Sequence, residues 1–114
     1  MSDCLFCKIV SGDIPSDIVH DDKHCLAFRD LSPQAPTHIL LIPKIHISSL
    51  NELQNEHCDL AGHLLLKVPQ IATENGLADD GYRLVVNCGN DGGQTVGHLH
   101  MHLLGGRMLN WPPG

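Results

Sequence analysis

The stretch His98-Leu99-His100-Met101-His102-Leu103-Leu104 alternates imidazole with apolar side chains. On a strand, alternate residues share a face, so Leu99, Met101 and Leu103 would enter a core while three imidazoles line the opposite side. An amphipathic strand whose solvent face happens to carry histidines is the plainest account. Three successive outward histidines beside a glycine-rich loop point instead to chemistry, and two chemistries fit. An HxH pair on a strand can chelate zinc. Alternatively, a neutral imidazole is a nucleophile near neutral pH, because a reference pKa of about 6.5 leaves one ring nitrogen unprotonated. Such a nucleophile would need an acceptor on its other N–H to fix the tautomer.

The neighbouring run Asn87-Cys88-Gly89-Asn90-Asp91-Gly92-Gly93-Gln94-Thr95 offers glycines, where backbone N–H groups can approach a ligand closely, with amide and hydroxyl donors beside them. Alone it reads as a connection between strands; next to three histidines it reads as an anion cradle. At the other end of the chain, Cys4 and Cys7 have the CxxC spacing of a zinc knuckle. Five cysteines, an odd number, after a start that lacks the basic and apolar pattern of a secretory signal, argue for a reducing, cytoplasmic setting. A metal reading of the pair therefore comes before a disulfide. Cys25, Cys58 and Cys88 show no ligand spacing and read as core or loop residues.

These residues must be positioned by a chain of 114 residues, enough for one domain and one core. The net charge of −6 argues against a nucleic-acid polymer as partner, and no apolar run approaches the roughly 20 residues of a membrane span. Any phosphate would have to be met by local donors. A short helix is predicted from Asp3 to Val10, ended by Ser11-Gly12. Strands are predicted over Ile18–His20 and Cys25–Phe28 around an Asp21-Asp22 turn, and over Thr37–Ile42 up to Pro43. Two prolines between Leu31 and Pro36 make that segment a loop. Leu60, Ala61, Leu64, Leu65, Val68, Ile71 and Ala72 recur at helical spacing, predicting one helix over 54–75, kinked at Pro69 and capped at Gly76. Tyr82–Asn87 reads as a central strand and Val96–Leu104 as the last one, followed by a proline-rich tail. The order gives an α+β fold: an antiparallel sheet with a helix on one face.

The His-apolar-His-apolar-His run followed by two apolar residues resembles the signature of the histidine-triad (HIT) family. The wider chain resembles its nucleotide-binding phosphoramidase branch, the Hint proteins, over residues 18–30, 32–38, 81–87, 91–94 and 98–107, and in the Trp111-Pro112-Pro113-Gly114 ending. The resemblance implies a single domain over 1–114 with core 4–107 and tail 108–114, and a five-stranded sheet that continues across a homodimer. It implies hydrolysis of a purine nucleoside phosphoramidate to AMP and an amine, through a nucleotide carried on His100. His102 and His38 fall where the family places imidazoles near the phosphate and the departing group, with His98 completing the triad. Asp30 matches a ribose-binding acid, and Phe28 and Leu31 match a base pocket. The Gly93 and Gln94 backbone, Thr95, Asn87 and His102 match phosphate donors. Trp111 matches a tail residue that reaches towards the partner's site. In zinc-bearing relatives Cys4 and Cys7 would be completed by His46 and His98, a closed and therefore structural site. Two departures stand out: Thr95 replaces a common serine, and Gly97 replaces an aromatic before the first histidine. A non-catalytic nucleotide-binding module, a dinucleoside polyphosphate hydrolase and a zinc enzyme using all three histidines are the rival readings.

Overall fold

The computed structural model describes residues 3–114. Five antiparallel strands form one sheet: β1 (Ile18–Asp21), β2 (Cys25–Arg29), β3 (Thr37–Pro43), β4 (Tyr82–Val85) and β5 (Met101–Gly105), in the order β1-β2-β3-β5-β4. Helix α1 (Leu5–Ser11) opens the described chain and α2 (Cys58–Glu74) lies between β3 and β4. This is the expected α+β architecture, with one long and one short helix.

Strand alternation sorts the core into two layers. Cys25 and Ala27 of β2, Ile39 and Leu41 of β3, and Met101 and Leu103 of β5 face α2 and meet its Leu64, Val68, Ile71 and Ala72. The intervening residues Leu26, Phe28, Leu40 and Ile42 face the other way and are covered by Phe6 and Ile9 of α1. The face expected to be open is thus half roofed, by a helix only seven residues long.

Three boundaries differ from the sequence reading. The helix expected over 54–75 begins as two single 3₁₀ turns, Leu50–Glu52 and Asn55–His57, and α2 proper starts at Cys58. It then runs through Pro69 as one element and ends in a Schellman cap. There Gly76 has φ +74, with Gly76 N–H donating to Thr73 O and Leu77 N–H to Ala72 O. The strand expected over Tyr82–Asn87 is not central: β4 stops at Val85 and stands at one end of the sheet, because β5 inserts between it and β3.

The last strand begins at Met101, not Val96, so His98 and His100 precede it. The ladder partner explains why. Continuing the register of Leu41 with Met101 would set Leu99 opposite Pro43, which has no N–H to offer. The Pro43 carbonyl is taken by a side chain, His98 Nε2 at 2.9 Å. The segment is instead held by Leu99 N–H donating to Ile47 O at 2.6 Å.

Candidate active site and metal cluster

Hydrogen bonds on their ring nitrogens assign the tautomers of the triad histidines. His100 is buried, and its Nδ1–H donates to the His98 carbonyl at 2.7 Å. That leaves the lone pair on Nε2, which among the described residues has no hydrogen-bond partner. Gln34 N–H donates to His38 Nδ1 at 3.1 Å, so the proton of His38 sits on Nε2. From there it reaches His102 Nδ1 at 2.9 Å, with Asp30 Oδ2 at 3.5 Å. His102 Nδ1 is therefore an acceptor, and its Nε2 carries the proton. The row thus presents one unprotonated Nε2 on His100 and one N–H on His102, on rings whose centroids are 5.0 Å apart.

Burial favours the neutral forms of His102 and His38. His102 is pushed down to about 4 by desolvation, with His100 and His38 adding to it against the pull of Asp30. Desolvation also lowers His38, again opposed by Asp30. The roof of the site is aromatic: Phe6 of α1 meets His100 edge-on with centroids 5.2 Å apart and meets Phe28 at 5.5 Å.

Beside the row lies a cavity of about 250 Å³ whose lining includes Phe28, Asp30 and Leu31, together with Leu5, Phe6 and Ile9 of α1. Phe28 is both core residue and wall, whereas Leu31 is 95% exposed at the surface. Asp30 turns Oδ1 to its own loop, accepting from Ser32 N–H at 2.8 Å. Ser16 also lines the cavity, and its hydroxyl is buried without a partner. The contribution of α1 and Ser16 escaped the sequence reading, because nothing local to residues 5–16 says which face of the sheet they cover. A larger groove of about 470 Å³, beside β4 and the tail, contains no histidine.

The glycine-rich loop is folded by its own side chains. Asn87 Nδ2 donates to Gly92 O at 2.6 Å. Gln94 Oε1 accepts from Gly89 N–H, while its Nε2 donates to Ser48 O and Val96 O. Those amides are occupied, and the Gly93 and Gln94 N–H groups expected to meet a phosphate donate instead to Asn90 O and Gly89 O, each at 3.1 Å, because they close the turns of the loop; of the expected loop donors the exposed Thr95 hydroxyl remains. Glycine is required here: a Cβ at Gly92 would collide with the Cys88 carbonyl, and Gly93 has φ +77.

Cys4, Cys7, His46 and His98 converge as their spacing and the resemblance suggest. Cys4 caps α1 and Cys7 follows one turn later. Cys4 Sγ lies 3.3 Å from His98 Nδ1, and Cys7 Sγ lies 3.5 Å from it and 3.3 Å from His46 Nδ1. The four atoms all lie within 4.8 Å of one another. Tetrahedral ligands at zinc distances of about 2.0–2.3 Å are separated by about 3.3–3.8 Å, so the donors fit that ion. The bond from His98 Nε2–H to Pro43 O directs the Nδ1 lone pair at the cluster.

Comparison with known proteins agrees with this geometry. The HIT domain family matches residues 11–109. The chain is 60% identical over 112 residues to an uncharacterized HIT-like protein of Synechococcus elongatus, covering 98% of this chain and 97% of that one. It is 49% identical over 115 residues to a 14 kDa zinc-binding protein of Zea mays, covering 99% and 89%. A HIT family hydrolase from Legionella pneumophila superposes with a TM-score of 0.96 at 51% identity, covering 98% of this chain and all of that one. The chain belongs to the HIT family.

Proposed function

We propose that this protein is a hydrolase of purine nucleoside phosphoramidates, releasing AMP or a related nucleotide and an amine through a nucleotidyl-His100 intermediate. The observation that carries the reading is the pair of tautomers: a lone pair on His100 Nε2 beside a proton on His102 Nε2. His100 Nε2 attacks the α-phosphorus, a new N–P bond forms, and the P–N bond to the substrate amine breaks. The departing nitrogen takes up the proton of His102 Nε2–H, and the attacking water returns one to His102 Nε2 in the second step. Water then attacks the same phosphorus, the His100–phosphorus bond breaks, and the nucleotide leaves. His102 N–H and the Thr95 hydroxyl would serve the phosphate oxygens, where one well-placed donor contributes about 2.7–4 kcal/mol to the transition state. His38 holds the His102 tautomer. Asp30 receives the ribose hydroxyls and the Phe28–Leu31 cavity takes the base.

Zinc held by Cys4, Cys7, His46 and His98 would be closed by four protein ligands and so structural, pinning α1 over the sheet. It leaves His98 to orient the strand rather than to react. The close relation to a zinc-binding plant protein and to a hydrolase of the same fold supports both parts of the reading. Homodimerisation is part of it too: Trp111 is 81% exposed on a tail that Arg83 holds by its Leu109 and Asn110 carbonyls, available to a partner's site. No helix among the described residues is long and apolar enough to cross a membrane, and the cysteine usage favours the cytoplasm.

The test is to offer adenosine 5′-phosphoramidate and follow both AMP release and nucleotide-labelled protein. Wild type should give both, and His100→Ala neither, while nucleotide binding stays measurable. Turnover retained in His100→Ala would remove His100 as nucleophile.

A further inference from the structure

A second constellation lies across the sheet from α1, where the β1–β2 turn meets α2. The Asp22 carboxylate is its hub. Oδ1 accepts two backbone N–H groups, from His24 at 2.8 Å and Cys25 at 3.0 Å, which is ordinary turn capping. Oδ2 is different, because three side chains from three parts of the chain converge on it. His20 Nε2 approaches to 2.6 Å from β1, His63 Nε2 to 2.9 Å from α2, and Cys25 Sγ to 3.2 Å from β2. The donor atoms of His20, Asp22 and Cys25 all lie within 4.8 Å of one another. His20, Asp22 and His63 keep 12%, 24% and 28% of their side-chain surface exposed, so an ion has a way in.

We propose that His20, Asp22, Cys25 and His63 form a second binding site for a divalent transition metal of zinc type, separate from the Cys4–Cys7–His46–His98 cluster. Two imidazoles, a carboxylate and a thiol are the borderline donors such ions select, and hard cations such as Mg²⁺ would find only one suitable oxygen ligand. A zinc-sized ion needs its ligands about 3.2–3.8 Å apart, so His20 has to draw back from Oδ2 by roughly one ångström, while His63, which meets Asp22 at 2.9 Å but lies outside the His20–Asp22–Cys25 group, has to move in towards the other two. On binding, the two imidazole protons move from Nε2 to Nδ1, and the Cys25 thiol proton is released to solvent. The carboxylate exchanges its side-chain hydrogen bonds for one metal bond while keeping its backbone donors on Oδ1. The ion would tie the β1–β2 turn to α2, which no covalent link joins. Neither the CxxC spacing nor the histidine row contributes a ligand, so the proposal is independent of the reaction at His100.

The experiment is a Zn²⁺ titration of the full chain, stripped with chelator and then followed by calorimetry with metal counting, on wild type, His20→Ala and His63→Ala. Each variant should bind one Zn²⁺ fewer per chain than wild type, or bind that equivalent at least about tenfold more weakly. Phosphoramidate turnover should be unchanged. Comparing each variant with wild type isolates this site whatever the occupancy of the first cluster. Equal stoichiometry and affinity in wild type and both variants would overturn the site and leave a hydrogen-bonded turn only. Should neither variant fold, an anomalous difference map at the zinc edge from Zn²⁺-soaked wild-type crystals decides: a peak among Asp22, His20 and His63 supports the site, and none overturns it.

Discussion

The two faces of the sheet are built from the same strands but in different materials. Towards α2, residues such as Ile39, Leu41, Leu103 and Ile71 pack with almost no surface left and with no imidazole among them. Towards α1, Phe28 and Leu40 share their side with His38, His100 and His102, and a cavity remains. The apolar centre of that layer has only the hydrophobic effect and packing to supply, and it supplies stability. A layer with three desolvated imidazoles costs stability and gains reactivity. The division of labour follows from a period of two residues along each strand.

The sharpest way to break that comparison is His100→Ala on the α1 side. Turnover of a phosphoramidate should fall by at least about 10³-fold, with the thermal midpoint nearly unchanged. A large loss of stability would show that the imidazole face carries the fold as well. The converse is Ile71→Ala on the α2 side, which should destabilise by about 2–5 kcal/mol in a denaturant titration while leaving kcat intact. Removing zinc with a chelator tests the seam between the two. It should lower Tm by about 10 °C, since each kcal/mol shifts a domain of this size by several degrees, and activity should drop less than in His100→Ala.

Acid should act on the imidazole face through His102 and His38. His102 takes up its proton at about 4 in the folded protein and near 6.5 when unfolded. Between those values the unfolded chain binds more protons, so stability falls as pH drops from about 6.5 to 4 and then levels off. His38, also lowered, adds in the same direction. Melting curves of wild type and His102→Gln over that range should differ in slope, with the variant the flatter. Equal slopes would place the acid sensitivity elsewhere.

Much of this was legible in the chain because it is local. Alternation from Leu99 to Leu103 correctly assigned a core side, and the apolar spacing from Leu60 to Ala72 correctly marked the long helix. The CxxC pair is local too, but its approach to His98 spans 94 positions and was accessible only through resemblance to a family. What failed depends on partners. Nothing in Tyr82–Val85 states that β5 will lie on one side of it and no strand among the described residues on the other. Nothing in Val96–His100 reveals that its ladder partner would be a proline. Cys25 looked like plain core because His63, which meets the same carboxylate oxygen, is far away in sequence and on a helix.

Gln34 closes the imidazole chain at one end. Its backbone N–H faces His38 Nδ1 and does not give up its proton near neutral pH, so that nitrogen is a dead end for proton traffic. His38 then keeps its single proton on Nε2, pointing at His102, and cannot relay a second one without breaking its bond to the backbone. Any proton that the His38–His102 pair exchanges during catalysis therefore enters or leaves through His102 Nε2. The rate in mixtures of light and heavy water should therefore vary linearly with deuterium content, the mark of a single proton in flight.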